Sequence, residues 1–272
     1  MGESAKYYSI LRGTDAIIDD FFGVKKTGRQ PQYGSRTTYL NLEPKSLTCD
    51  TSAILFRMHE QIAANWGERT YRKDASKQNW RCEAKPDYNE HRKGWEVVLE
   101  REIVKAMRSP QWYNAVPTSS GLCGPRHDKA CNIDLAYSAC RDEYTFCELK
   151  WNANTPVFAA VEIIRYGLLN LFSRLKREKM GYPADHSPML TAHTVHLRVL
   201  GPSAYFHKDN VNLGWLEVKL NDGLGHYVTQ FKNEAGVKLD FAFESFSDDL
   251  VPPFVTEDIR RALSQRTAAY PH

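Results

Sequence analysis

The sequence predicts an α/β protein with a central mixed β-sheet flanked by helices. Hydrophobic residues make up 42% and charged residues 25% of the 272 residues, which is typical of a chain that buries a core. From Gly94 onward, segments with helical periodicity alternate with runs rich in β-branched and aromatic residues. The order of these segments is helix, strands, helix, strand, which favours a sheet covered by helices.

The first 93 residues are the least regular part of the sequence. Helix-like segments at Ala5–Phe22 and Thr51–Trp66 are separated by a stretch rich in turn-forming residues, and a charged segment follows at Glu68–Lys93. We expect residues 1–93 to form an N-terminal extension that recognises substrate. Its aromatic residues could stack on nucleic acid or belong to the core: Tyr33, Tyr39, Trp66, Tyr71 and Trp80.

The elements of the second part, residues 94–272, follow from periodicity and from their flanking residues. Helices are predicted at 94–109, 156–179 and 256–267, the second of them with Pro156 in its first turn and Thr155 available as a cap. Strands are predicted at 112–119, 131–139, 143–151, 190–200 and 237–246. We expect this part to be the catalytic domain.

The charge of the chain permits a polyanionic partner without demanding one. The net charge is +3, a mild excess of Lys and Arg over Asp and Glu. No run approaches the roughly 18 apolar residues of a membrane span, and the first residues lack the apolar segment of a secretory signal. We therefore expect a cytoplasmic protein without a membrane partner, and the oligomeric state stays open.

Two adjacent predicted strands bring acidic residues together. Side chains alternate along a strand, so Glu148 and Lys150 share the side opposite Leu149, which we expect to face the core. If the strands pair through a tight link centred near Arg141, Asp134 lies opposite Glu148. Directly opposed like charges are destabilising, so this pairing indicates a cation between the two carboxylates.

A third acid is predicted on the preceding helix. At about 100° per residue, Glu102 falls in the middle of an apolar stripe formed by Trp95, Val98, Leu99, Ile103 and Ala106. A carboxylate on a buried stripe is costly unless it is paired or bound to metal. Glu102 is therefore a candidate member of the same cluster.

Asp134 followed by Glu148-Leu149-Lys150 resembles the motif of the PD-(D/E)xK nuclease superfamily. The resemblance covers Gly94–Leu200 and implies a restriction-endonuclease-like core of helix, three strands, helix and strand. It implies that Asp134, Glu148 and the backbone carbonyl of Leu149 bind Mg²⁺ or Mn²⁺, with Lys150 activating the attacking water. Glu102 would match an acid that many members carry on the first helix.

The next predicted helix carries a second, partial motif. Glu162 and Tyr166 have the spacing of the QxxxY motif of the RecB-like exonuclease branch, with Glu in place of Gln. Ile133 stands where the superfamily name has Pro. Glu162 and Tyr166 lie away from the main apolar stripe of their helix, so function and solvation are equally good explanations for them.

The expected function is hydrolysis of phosphodiester bonds in nucleic acid, with DNA as the expected substrate. Two alternatives stay open. A catalytically degenerate nuclease-like domain would bind nucleic acid or a protein partner without cutting it. In an unrelated α/β protein, Glu148 and Lys150 would form an ordinary salt bridge on an exposed strand. The basic run Arg174–Lys179 suits either the C-terminal dipole of its helix or a phosphate-binding patch.

Overall fold

A six-stranded mixed sheet forms the centre of the structure. The computed structural model describes residues 9–25, 30–67, 75–87, 94–123 and 131–271. The strands follow chain order across the sheet. They are β1 (Trp112–Pro117), β2 (Asn132–Cys140), β3 (Glu143–Leu149), β4 (Thr194–Pro202), β5 (Lys238–Phe246) and β6 (Thr267–Ala268).

The directions of the strands follow from the length of their connections. β1, β2 and β3 are antiparallel neighbours, and a short turn joins β2 to β3. β4 is parallel to β3, and β5 is parallel to β4, because helices carry the chain back between these strands. The short β6 pairs antiparallel with β5. The predicted α/β class with a mixed sheet is confirmed.

Helices cover both faces of the sheet. Within the described residues they are α1 (Thr14–Phe21), α2 (Arg36–Asn41), α3 (Thr51–Gly67), α4 (Trp95–Ala106), α5 (Pro156–Leu175), α6 (Ser203–His207), α7 (Gly214–Thr229), α8 (Lys232–Ala235) and α9 (Thr256–Ser264). Helices α1, α3, α5 and α7 contribute to the core on one face, whereas α4 and α9 cover the other. The start of the predicted helix Ala5–Phe22 lies outside the described residues.

Helix α5 is the central helix of the larger core. Its N-cap Thr155 accepts a 3.2 Å hydrogen bond from Phe158 N–H, and Pro156 occupies the first turn, as predicted. By length and composition α5 would be apolar enough to cross a membrane, but 89% of its apolar window is buried within the fold. A Cβ at Gly167 would lie 2.5 Å from Cδ1 of Leu197, so glycine permits close packing of α5 on β4.

The N-terminal residues share the core with α5 instead of presenting their aromatic rings to solvent. Tyr33, Tyr39 and Trp80 are each 0% exposed, so of the two alternatives these three residues take the one in which they belong to the core. Trp66 is partly buried against the same core, and Tyr71 lies outside the described residues. The division of function at residue 93 stays a prediction.

Candidate functional site

The pairing of β2 with β3 brings two acidic side chains to one end of the sheet. Leu135 pairs with Cys147, so the next step of the antiparallel register sets Asp134 across from Glu148. The bulge in this hairpin lies close to the turn, at the other end of the strands. The register predicted from the sequence is therefore confirmed.

Lys150 lies among carboxylates immediately after β3. Its Nζ is 2.6 Å from Oε1 of Glu148, 3.1 Å from Oε2 of Glu162 and 4.0 Å from Oε1 of Glu96. Glu148 and Lys150 are each 4% exposed. Their ion pair is therefore buried and does not lie on an exposed strand.

Both faces of β3 are buried, so the expectation that only its Leu149 side meets a core was incomplete. Leu149 packs with α4 and α9, while Phe146 on the other side joins the core around α5. Strand β4 holds the end of β3 in place through a 2.8 Å hydrogen bond from Lys150 N–H to Leu200 O. A Cβ at Gly201 would lie 2.9 Å from Lys150 O, so glycine permits this close approach.

Asp134 is held against the backbone of β3. Its Oδ2 accepts a 2.9 Å hydrogen bond from Leu149 N–H. Burial raises the pKa of Asp134 to about 7; the charge of Lys150 opposes this rise and that of Glu100 adds to it. Without a bound cation, Asp134 therefore changes protonation state near neutral pH.

Glu148 carries a buried oxygen that lacks a hydrogen-bond partner in the described part of the chain. Its Oε1 meets Lys150, whereas its Oε2 is buried and unpaired. Burial raises the pKa of Glu148 well above its usual value, and the charge of Asp134 raises it further against the opposing effect of Lys150. An unpaired buried acceptor costs free energy, and a bound cation would satisfy it.

The charge state of Lys150 follows from its neighbours. Burial alone would lower the pKa of Lys150, but the negative charges of Glu148, Glu162 and Asp134 outweigh burial and raise it. The ammonium therefore stays protonated at neutral pH, and Lys150 acts as a hydrogen-bond donor.

Glu96 and Glu100, and not the predicted Glu102, are the α4 acids at this site. Glu96 is near Lys150, and the charge of Glu100 raises the pKa of Asp134. The carboxylate of Glu102 instead lies 2.7 Å from Nζ of Lys105 on a partly exposed side of α4. Two residues along a helix correspond to a rotation of about 200°, so Glu100 and Glu102 cannot face the same group.

The predicted auxiliary residues on α5 both face the acidic cluster. Glu162 contacts the ammonium of Lys150. Tyr166 is buried, and burial together with the charge of Glu148 raises its pKa above the usual value. The sequence left solvation and function equally open for these two residues, and the structure places them at the site.

Asn114 is a further member of the site that sequence reasoning missed. It is buried on β1, and its Nδ2 donates a 2.7 Å hydrogen bond to Oε1 of Glu100. Burial raises the pKa of Glu100, while Arg101 and this hydrogen bond oppose the rise. For the acids of α4, the signal available in the sequence was the four-residue spacing of Glu96 and Glu100, since residues at that spacing share a helix face.

An aromatic group borders the cluster on the α4 side. Trp151 N–H donates a 3.1 Å hydrogen bond to Oε2 of Glu96, which ties α4 to the end of β3. The ring of Phe254 lies 5.2 Å from that of Trp151 and 6.1 Å from that of Trp95, between ring centroids. These rings therefore pack together where α4 meets the end of β3.

The chemistry of the donors fits a hard divalent cation. Asp134 and Glu148 offer carboxylate oxygens, which Mg²⁺ and Mn²⁺ prefer, and Oε2 of Glu148 lacks a partner among the residues that the structure describes. Over the described ranges, no group of three or more His, Cys, Asp or Glu side chains is arranged to hold a metal ion. Because Lys150 pairs with Glu148 Oε1, Oε2 is the oxygen of Glu148 that is available to a cation.

Comparisons with known proteins do not assign a function to this chain. Comparison of the chain with protein-family models, with curated proteins and with solved structures finds no match. The inference of function therefore depends on the residues described above and on their geometry.

Proposed function

We propose that this protein is a metal-dependent nuclease that hydrolyses phosphodiester bonds, with DNA as its expected substrate. The observation that carries the proposal is the cluster formed by Asp134, Glu148 and Lys150 with Glu162 at the end of β3. The chain order α4, β1, β2, β3, α5, β4 supports the finer assignment of a restriction-endonuclease-like core. That order is the one implied by the resemblance to the PD-(D/E)xK superfamily.

Asp134, Glu148 and the backbone carbonyl of Leu149 would hold Mg²⁺ or Mn²⁺. Such an ion, when bound, lowers the pKa of a coordinated water and offsets negative charge on the phosphate. Without a cation, these carboxylates repel a phosphodiester. We therefore expect cleavage to depend on added metal.

Lys150 supplies a fixed positive charge beside the reacting group. Because the neighbouring carboxylates keep its ammonium protonated, Lys150 would donate hydrogen bonds to the attacking water and to a phosphate oxygen. A donor of this kind is worth most where charge develops in the transition state. Glu162 would orient the ammonium from the α5 side.

The proposal is tested by cleavage assays on single- and double-stranded DNA and RNA with Mg²⁺, Mn²⁺ or EDTA. We expect metal-dependent cleavage that falls about 100-fold or more in Lys150→Ala, the loss typical of removing one transition-state donor. Lys105→Ala is the matched control, because Lys105 pairs with Glu102 away from the cluster. Circular dichroism and thermal unfolding establish that each variant is folded.

Two results would count against a nuclease. One is the absence of cleavage on every substrate by folded native protein with either metal. The other is cleavage that survives unchanged in Lys150→Ala.

A nucleic-acid-binding domain that does not cut is the second candidate. The observation that favours it is the 2.6 Å ion pair between Lys150 and Glu148, which engages two of the expected catalytic groups with each other. This candidate predicts binding to nucleic acid in EDTA that persists in Lys150→Ala. Binding of that kind without cleavage would select it over the nuclease.

A further inference from the structure

A basic cleft lies at the C-terminal end of α5, away from the acidic cluster. Its volume is about 550 Å³, within the range of small-ligand sites. The charged residues that line it are Arg174, Lys176, Arg177, Glu178, Lys179 and Glu234. Glu162 and Arg174 are twelve residues apart on α5, or about 18 Å along the helix axis.

Within the described ranges, the positive charge of this basic cleft is not balanced by ion pairs. In the described part of the chain, none of its four cations forms a salt bridge with a carboxylate, and Glu178 and Glu234 are exposed. A helix C-terminus attracts cations with only about half an elementary charge. The dipole of α5 therefore offsets only part of the positive charge of Arg174–Lys179, and an excess of positive charge remains.

Arg174 differs from two other largely buried arginines. Arg165 pairs with Asp15 at 2.5 Å, and Arg198 pairs with Asp240 at 2.5 Å. The pKa values of Arg165 and Arg198 are raised by these carboxylates against the effect of burial. Burial lowers the pKa of Arg174 to about 10, with no carboxylate to oppose it. Arg174 is thus a largely buried cation that pairs with no carboxylate among the described residues.

Neutral acceptors hold Arg174 in position at the basic cleft. Its Nε donates to Oδ1 of Asn170 at 2.7 Å, and its terminal nitrogens donate to the carbonyls of Ala192 at 2.6 Å and Met189 at 2.8 Å. These bonds use three of the five guanidinium donors. The guanidinium is therefore pre-organised, with donors and charge left for an anion.

We propose that the basic cleft binds a phosphate group, carried either by a nucleic-acid strand or by a free nucleotide. Guanidinium and ammonium groups form charge-assisted hydrogen bonds with phosphate oxygens. An anion bound here would offset the buried charge of Arg174. The carboxylates around Lys150 would repel such an anion only weakly, because they lie towards the other end of α5.

The test compares Arg177→Gln/Lys179→Gln with the control Lys45→Gln/Lys219→Gln, which removes two exposed positive charges elsewhere. Binding is measured in EDTA with two probes, ATP and a fluorescent single-stranded DNA of about 20 nucleotides. For the strand, we expect the cleft variant to weaken affinity about 10-fold and to reduce the slope of log Kd against log salt by about 0.7 per lost phosphate contact. The control should change both quantities much less.

The two probes distinguish the two sources of phosphate. Strand binding that depends on the cleft and that ATP does not displace identifies a nucleic-acid backbone. ATP binding that depends on the cleft identifies a free nucleotide. The proposal is overturned if neither probe loses more affinity in the cleft variant than in the control, or if neither probe binds. Because no metal is present, these outcomes are independent of whether the acidic cluster cleaves nucleic acid.

Discussion

The acidic cluster and the basic cleft lie towards opposite ends of α5 and carry opposite excess charge. Near Glu162, the carboxylates of Asp134 and Glu148 gather around the ammonium of Lys150. Around Arg174–Lys179, cations gather without salt bridges in the described part of the chain. One region favours a cation, and the other favours an anion.

In a third region of this fold, ion pairs balance the charges. Arg198 pairs with Asp240 and Glu244, and His196 lies between Asp240 and Glu143 at 2.6 and 2.8 Å. Each cation there meets a carboxylate. Perturbed, unbalanced charge is instead typical of functional sites, because it is costly unless a ligand compensates it. The contrast separates the two candidate sites from an ordinary network.

The largest expected effect is the loss of cleavage when Glu148 is neutralised. Glu148→Gln removes one of the two carboxylates expected to hold the metal. Even residues that only support metal ligands affect activity by roughly 10- to 100-fold, so we expect a fall of at least about 100-fold in kcat/KM. Glu257→Gln, an exposed acid paired with Arg260 on α9, is the control. Unchanged cleavage in Glu148→Gln would show that the acidic cluster has no chemical role in the reaction.

The sequence predicted the elements whose local signals agree with their packing. The helical period of Trp95–Ala106, the alternation along β2 and β3, and the cap of α5 all indicate the structure they form. Centring the link between β2 and β3 on Arg141 predicted the opposition of Asp134 and Glu148. The bulge between Ser138 and Cys140, which shifts the pairing by one residue from that of Cys140 with Glu143, was not predicted.

Helix α7 could not be predicted because its stability comes from tertiary packing. Its sequence contains three glycines, which are poor helix formers. Gly223 lies where a Cβ would be 2.7 Å from Thr51, so the glycine that weakens the local signal allows α7 to pack against α3. The gain from this packing arises between segments far apart in the sequence.

The error at Glu102 has a related cause. Val98 and Trp95 flank Glu102 in the predicted apolar stripe, but Trp95 is 50% exposed. The buried side of α4 is formed instead by Leu99, Ile103, Val104 and Ala106, with Glu100 among them. Apolar character alone could not show which of these large side chains remained at the surface.

Asp134 should make the metal-free protein more stable as the pH falls from about 8 to about 5.5. Its pKa rises from 3.8 to about 7 on folding, so the folded state keeps a proton that the unfolded state loses. The stability supplied by this proton is fully present below pH 3.8 and is lost as the pH rises through about 7. One proton corresponds to about 1.4 kcal/mol per pH unit, so we expect a gain on the order of 2 kcal/mol in urea unfolding.

Asp134→Asn tests this contribution: it removes the proton bound by Asp134 and also the charge that raises the pKa of Glu148. His196 also has a raised pKa, but its effect is the same in both proteins and cancels in the difference. At about pH 8, Mg²⁺ should stabilise the native protein more than Asp134→Asn, because the metal binds the deprotonated carboxylate. Equal pH dependence in the two proteins would show that Asp134 does not titrate as described.

The smallest expected effect distinguishes the acids of α4. Glu100→Gln removes the charge of Glu100 while Oε1 can still accept the hydrogen bond from Asn114. The charge of Glu100 raises the pKa of Asp134, so its removal should lower that pKa and move the acid limb of the pH–activity profile to lower pH. We expect a loss of about 10-fold in kcat/KM, as for residues that support metal ligands.

Glu102→Gln is the matched control, because it removes the same charge from the same helix. Its carboxylate pairs with Lys105, so activity and pH profile should stay within about 2-fold of the native protein, as for a weak surface ion pair. A shifted profile in Glu102→Gln together with an unchanged one in Glu100→Gln would restore Glu102 as the site's α4 acid. A shift in Glu100→Gln alone would show that the carboxylates around Lys150 act as one coupled group.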